Sequence, residues 1–148
     1  MDTVDLLRIK VKEAMSPDVI SSRPETLITE LITLVESYQL HHIPVTDHEG
    51  NLKGIISKLD LAPFMPSLWR DNDKIEKAAV DATGIKAEDL MNMNVVIVGP
   101  NDPLEKCIGL LRENFFRALP VVDNQKLMGI ITTYDLVNIA YRRTPFLT

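Results

Sequence analysis

Apolar positions along this chain follow two periodicities, and the pair of patterns is written twice. Leu27, Ile28, Leu31, Leu34, Val35 and Tyr38 recur at the spacing of one helical face, as do Leu104, Cys107, Ile108 and Leu111 further on. Thr26 stands at the cap position of the first stripe. Asp102, Pro103 and Glu105 open the second with an N-cap acid, a proline at the first helical position and a glutamate three residues after the cap. Both stripes predict helices of about 12 to 14 residues. After each helix come two short runs rich in β-branched residues, split by polar turn residues. Ile43 to Thr46, Asp47 to Asn51 and Leu52 to Ile56 form the first set; Leu119 to Val122, Asp123 to Lys126 and Leu127 to Ile131 form the second. Both sets predict hairpins. Val19-Ile20 and Val95 to Val98 suggest a third strand ahead of each helix, while Asp60-Leu61 and Asp135 to Ala140 open a second helix behind each hairpin.

The two readings are one unit repeated. Ile9-Lys10, Met15, Pro24, Pro44 and Asp47 recur as Ile85-Lys86, Met91, Pro100, Pro120 and Asp123, 76 residues later, and Gly54 recurs as Gly129 after 75. The single deletion therefore falls in the hairpin turn. The predicted fold class is α+β, with copies at 9–61 and 85–140, each strand, helix, strand, strand, helix. A unit of about 55 residues buries too little of itself to be comfortably stable alone, so the copies are expected to pack as one pseudo-twofold module. Residues 62–84 have no counterpart and read as a linker. Two prolines interrupt its apolar start, Lys74 to Ala82 has a helical pattern, and Gly84 ends it. Phe64 and Trp69 either pack on the module or form a partner-binding patch.

Composition narrows the function. The chain has 148 residues, 45% hydrophobic and 25% charged, with a formal net charge of −5. That balance disfavours nucleic-acid binding through phosphate contacts. No run reaches the roughly 18 apolar residues of a membrane span, and the acidic N-terminus does not resemble a secretory signal. A cytoplasmic location is expected. One cysteine, Cys107, excludes an internal disulfide and falls on an apolar helical position, so it reads as core. No nucleophile, base and orienting group form a recognisable set, so no catalytic residue is assigned and the chain is not expected to be an enzyme. His41 and His42 lack acidic or thiol partners at ligand spacing, and no metal site is expected.

The chemistry concentrates where each hairpin ends. Gly54-Ile55-Ile56-Ser57-Lys58-Leu59-Asp60 and Gly129-Ile130-Ile131-Thr132-Thr133-Tyr134-Asp135 share the pattern Gly-apolar-apolar-Ser/Thr-x-x-Asp. A hydroxyl followed three residues later by an acid is a capping arrangement for a helix start. The same carboxylate, presented at a surface, can accept hydrogen bonds from a ribose diol. Spacing alone leaves both roles open.

With both copies in register, the chain resembles a tandem pair of cystathionine-beta-synthase (CBS) domains, the Bateman module, over about residues 9–61 and 85–140. The resemblance implies a regulatory fold that binds an adenine nucleotide of the AMP, ADP or ATP class, with S-adenosylmethionine as second choice. It implies that Ser57, Asp60, Thr132 and Asp135 hold ribose and phosphate. Phosphate would meet His41 and His42 before Pro44 and Arg117 before Pro120, joined by Lys58. Ile20, Ile43, Pro44, Val96, Leu119 and Pro120, with Val19 and Val95, would line the adenine slot, although plain core packing explains these positions equally well. The family also implies a homodimer, here with helical faces around Leu61 and Leu136 to Ala140 as candidate contacts, and a separate effector protein that reads ligand occupancy. The alternative is a structural or interaction module in which both motifs are helix caps alone.

Overall fold

The computed structural model describes residues 5, 8–65, 83–114 and 116–142. The predicted helix at Lys74 to Ala82 and the position of Trp69 lie outside the described residues. In chain order the elements are α1 (Val11–Ala14), α2 (Ile28–Tyr38), β1 (His42–Thr46), β2 (Leu52–Ser57), α3 (Lys58–Leu61), a 3-10 turn (Ala62–Phe64), α4 (Ala87–Leu90), α5 (Leu104–Asn114), β3 (Ala118–Asp123), β4 (Lys126–Thr132) and α6 (Thr133–Arg142). Helices packed beside two antiparallel hairpins make an α+β fold.

Packing cuts each sequence copy once more than the duplication does. One compact unit is continuous, Ile20–Asn94; the other joins Met1–Val19 to Val95–Thr148. The opening segment of each copy thus belongs to the unit built on the other copy's helix and hairpin. In the continuous unit, Ile28, Leu31, Ile32 and Val35 of α2 close on Ile43, Val45 and Ile56 of the hairpin, with Leu61 and Ala87 completing the core. In the other unit Leu104, Cys107 and Leu111 of α5 meet Leu119, Val121 and Ile131, with Ile139 from α6 and Ile9 and Val11 from the chain's start. Each large aliphatic side chain so buried contributes roughly 1.5 to 3 kcal/mol.

Both helices appear where the apolar stripes place them, at 11 residues each. The N-cap of α2 is Leu27 and not Thr26, and it has no side-chain cap. Thr26 Oγ1 accepts from the Arg23 N–H at 2.9 Å, and Asp102 Oδ2 accepts from the Gly99 N–H at 2.7 Å, so each polar group closes the turn before the helix. A proline four residues ahead of each helix, Pro24 and Pro100, favours that turn.

The hairpins form as predicted, Pro44 opposite Ile55 and Pro120 opposite Ile130. The first turn closes with Gly50 at φ 87°, the second with Asn124 and Gln125 at φ 47° and 70°. The expected third strand shrinks in each copy to one parallel bridge, Ser22 to Val45 and Val98 to Val121. Pro24 and Pro100 follow within two residues and lack the N–H a longer ladder needs. The helix behind the first hairpin is also short, because Pro63 turns α3 into the 3-10 turn. Of the expected dimer contacts, Leu61 and Ile139 are core residues and Leu136 packs against the core. The solvent face of α6 instead carries Tyr134, Val137 and Tyr141.

Candidate functional site

Each Ser/Thr-x-x-Asp motif sits where a strand hands over to a helix. Ser57 ends β2 in extended conformation, φ −96° and ψ 158°, which aims its hydroxyl along the first turn of α3. Its Oγ accepts from the Asp60 N–H at 3.2 Å, and its own N–H donates to Asp60 Oδ2 at 2.8 Å. In the second copy the Thr132 N–H and Oγ1 both donate to Asp135 Oδ2, at 2.8 and 3.0 Å, while the Asp135 N–H donates to Thr132 Oγ1 at 3.3 Å. Both motifs therefore close reciprocal capping boxes. Capping fixes the rotamer of each acid without exhausting it, since a carboxylate offers about four acceptor positions.

The two acids differ in what remains. Asp60 is exposed, and among the described residues nothing donates to its Oδ1. Asp135 is only 7% exposed, and its Oδ1 accepts from Ser16 Oγ at 2.9 Å. Ser16 was not among the residues expected at the site. It arrives because the opening segment of copy one pairs with β4, its N–H donating to the Ile130 carbonyl and its carbonyl accepting from the Ile130 N–H. The matching segment of copy two pairs in the same way with β2, through Asn92 and Ile55. Asn92 spends its side-chain oxygen locally, accepting from the Asn94 N–H at 3.0 Å. The repeat register marks residues 16 and 92 as equivalent; only the fold shows that Ser16 reaches a motif acid and Asn92 turns to its own loop.

The basic candidates flank these helix starts. The His41 carbonyl accepts from the Lys58 N–H at 2.8 Å, and His42 stands opposite Ser57 in the hairpin register. His41 and Lys58 share a hollow of about 370 Å³ with Val35, Glu36 and Gln39. In the other unit the Arg117 carbonyl accepts from the Thr133 N–H at 3.4 Å, and the Arg117 side chain is exposed. The structure thus gathers His41, His42, Ser57, Lys58 and Asp60 in one unit and Arg117, Thr132 and Asp135 in the other. Of the slot residues, Ile43, Pro44, Leu119 and Pro120 are buried, Ile20 is half-buried and Val96 is exposed.

Other titratable groups are tied into structure. The Asn51 N–H, with the Asn51 amide and the Glu49 N–H, holds the Asp47 carboxyl down to about 2. The Gly99 N–H and Lys106 lower Asp102. Burial pushes the Cys107 thiol up to about 11, which leaves it a core group and no nucleophile. No cluster of three or more His, Cys, Asp or Glu that could hold a metal occurs among the described residues, and none of their helices is long and apolar enough to cross a membrane.

Comparison with known proteins gives the family and the fold. The CBS domain family model matches residues 11–67 and 87–142. A CBS domain-containing protein of Dictyostelium discoideum is 29% identical over 139 residues, covering 90% of this chain and 92% of that protein. The crystal structure of CBSX2 in complex with AMP, a protein of Arabidopsis thaliana, aligns with a TM-score of 0.75 at 29% identity, over 90% of this chain and 96% of that one. The CBS domain pair of protein MJ0100 in complex with 5′-methylthioadenosine and S-adenosyl-L-methionine aligns at 0.69 and 25% identity, over 89% and 99%.

Proposed function

The chain belongs to the CBS domain family, and on that premise we propose that it is a regulatory module that binds an adenosine-containing ligand of the AMP, ADP or ATP class and passes its occupancy to a partner protein. The observation that carries this reading is Asp60: a carboxylate locked in one rotamer by Ser57, exposed, with one oxygen open to a donor. A cis-diol offers two hydroxyl donors at the spacing of such a group, and hydrogen bonds to a charged acceptor are the strong ones. Asp135 is locked in the same way by Thr132 in the second unit, but it is buried and its second oxygen already accepts from Ser16. The AMP bound to CBSX2 supports the ligand class; the ligands of MJ0100 make S-adenosylmethionine the second choice.

Phosphate falls to local cations in a chain of net charge −5. His41, His42 and Lys58 beside Asp60, and Arg117 beside Asp135, are the groups in place for it. Tyr134, Val137 and Tyr141 lie three and four residues apart on the solvent face of α6 and form the surface for a second copy of the chain.

A thermal-shift series with AMP, ADP, ATP and S-adenosylmethionine on ligand-stripped protein tests the reading. At 100 times its dissociation constant a ligand stabilises the native state by about 2.7 kcal/mol. No stabilisation by any of them sinks the proposal and favours the second reading, an interaction module, which the reciprocal capping bonds of both motifs support.

A further inference from the structure

The two motif acids are equal in sequence and unequal in the fold, and we infer that the chain binds its adenosine ligand at two sites of different strength, Asp60 first, with Ser16 acting as a latch on Asp135. The inference rests on the ribose-binding reading above and adds an order to it. Asp60 Oδ2 takes the Ser57 N–H, and its Oδ1 has no donor among the described residues. A diol reaching Asp60 Oδ1 breaks no hydrogen bond to another described residue. Asp135 Oδ2 takes the Thr132 N–H and the Thr132 hydroxyl, and its Oδ1 takes the Ser16 hydroxyl at 2.9 Å. With 7% of the residue exposed, a diol gains Asp135 only by breaking a hydrogen bond to a charged acceptor that is already made.

The difference has one origin in the sequence. Residues 16 and 92 are equivalent in the repeat, both pair with the motif strand through two backbone hydrogen bonds, and both follow a methionine. Serine at 16 carries a hydroxyl short enough to turn onto the acid. Asparagine at 92 folds its carbonyl oxygen back onto the Asn94 N–H instead. Ser16 is thus a positioning residue: it sets the threshold for the second site without being required by the first. Because its own side of the bond is exposed, the latch opens without unpacking the core.

Isothermal titration calorimetry of the full chain with AMP decides it. The wild type should show two steps, the tighter one lost in Asp60→Ala and retained in Asp135→Ala. Ser16→Ala should strengthen the weaker step by about tenfold, the loss of one competing charge-assisted hydrogen bond, and leave the tighter step unchanged. Ser16→Thr, which keeps the hydroxyl, should behave as wild type, which separates the latch from any general loosening of the segment. Weaker second-step binding in Ser16→Ala, or loss of the tighter step in Asp135→Ala, overturns the inference while leaving the nucleotide reading standing. Absence of AMP binding in every variant, wild type included, overturns both.

Discussion

Met15 lies so close across Gly129 that a methyl group on the glycine would stand 2.7 Å from the methionine sulfur and 2.8 Å from the Ser16 carbonyl oxygen. The sulfur can swing away; the carbonyl is held by the Ile130 N–H. Gly54 is crossed in the same manner, with the Asn92 carbonyl at 2.9 Å. The motif glycine is therefore required by close approach of a second strand of backbone. Gly129→Ala should destabilise the chain by about 1 to 3 kcal/mol, the usual range for overpacking. Urea denaturation with an unchanged midpoint would refute that account.

Arg117 gives the test of phosphate recognition. Its side chain is exposed at the start of β3, beside the helix start that carries Asp135. A charge-assisted contact is worth about 1.5 to 3 kcal/mol, so Arg117→Ala should weaken AMP by roughly tenfold or more and adenosine hardly at all. Equal losses for the two ligands in calorimetry would make Arg117 an ordinary surface charge.

Ser22 is 5% exposed, and its hydroxyl has no hydrogen-bond partner among the described residues. At the equivalent position the second copy has Val98, also buried. An unsatisfied buried hydroxyl costs about 1 to 3 kcal/mol, so Ser22→Val should stabilise the chain by about that amount. A melting temperature at or below wild type would show that the hydroxyl is satisfied after all.

Acid sensitivity follows from Asp47. Its carboxyl falls from 3.8 to about 2 in the folded chain, so the stability it supplies is complete above the unfolded value and disappears as pH drops from 3.8 towards 2. Asp102, lowered by the Gly99 N–H, acts in the same direction. Asp47→Asn should flatten the stability curve in that interval relative to wild type; parallel curves would remove Asp47 from the account.

Local pattern carried much of this fold. The stripes of α2 and α5 and the paired runs of both hairpins stood in the sequence because periodicity reports which side of an element is apolar. It does not report what covers that side. Ile9 and Val11 read as the head of copy one, yet they fill the core around Cys107 and Leu119. Thr26 carried the right chemistry for capping, yet Leu27 stands at the N-cap of α2 and Thr26 Oγ1 takes the Arg23 N–H in the preceding turn. The site shows the same split: Ser57, Asp60, Thr132 and Asp135 were legible through spacing, whereas Ser16 was hidden, since its partner lies 119 residues away. The apolar helix behind the motif was equally visible, but only the fold showed that Leu61 and Ile139 face inward and Tyr134, Val137 and Tyr141 outward.

The division into Ile20–Asn94 and a unit made from both ends of the chain also sets an order in time. A ribosome releases the continuous unit whole once Asn92 is clear to pair with Ile55, with Ala87 already seated in its core. Ile9 and Val11 are synthesised about a hundred residues before α5, β3 and β4, the elements that complete their core, and must wait for them. A segment made early is thus sheltered late, because its core is supplied by residues that follow it by most of the length of a repeat pair.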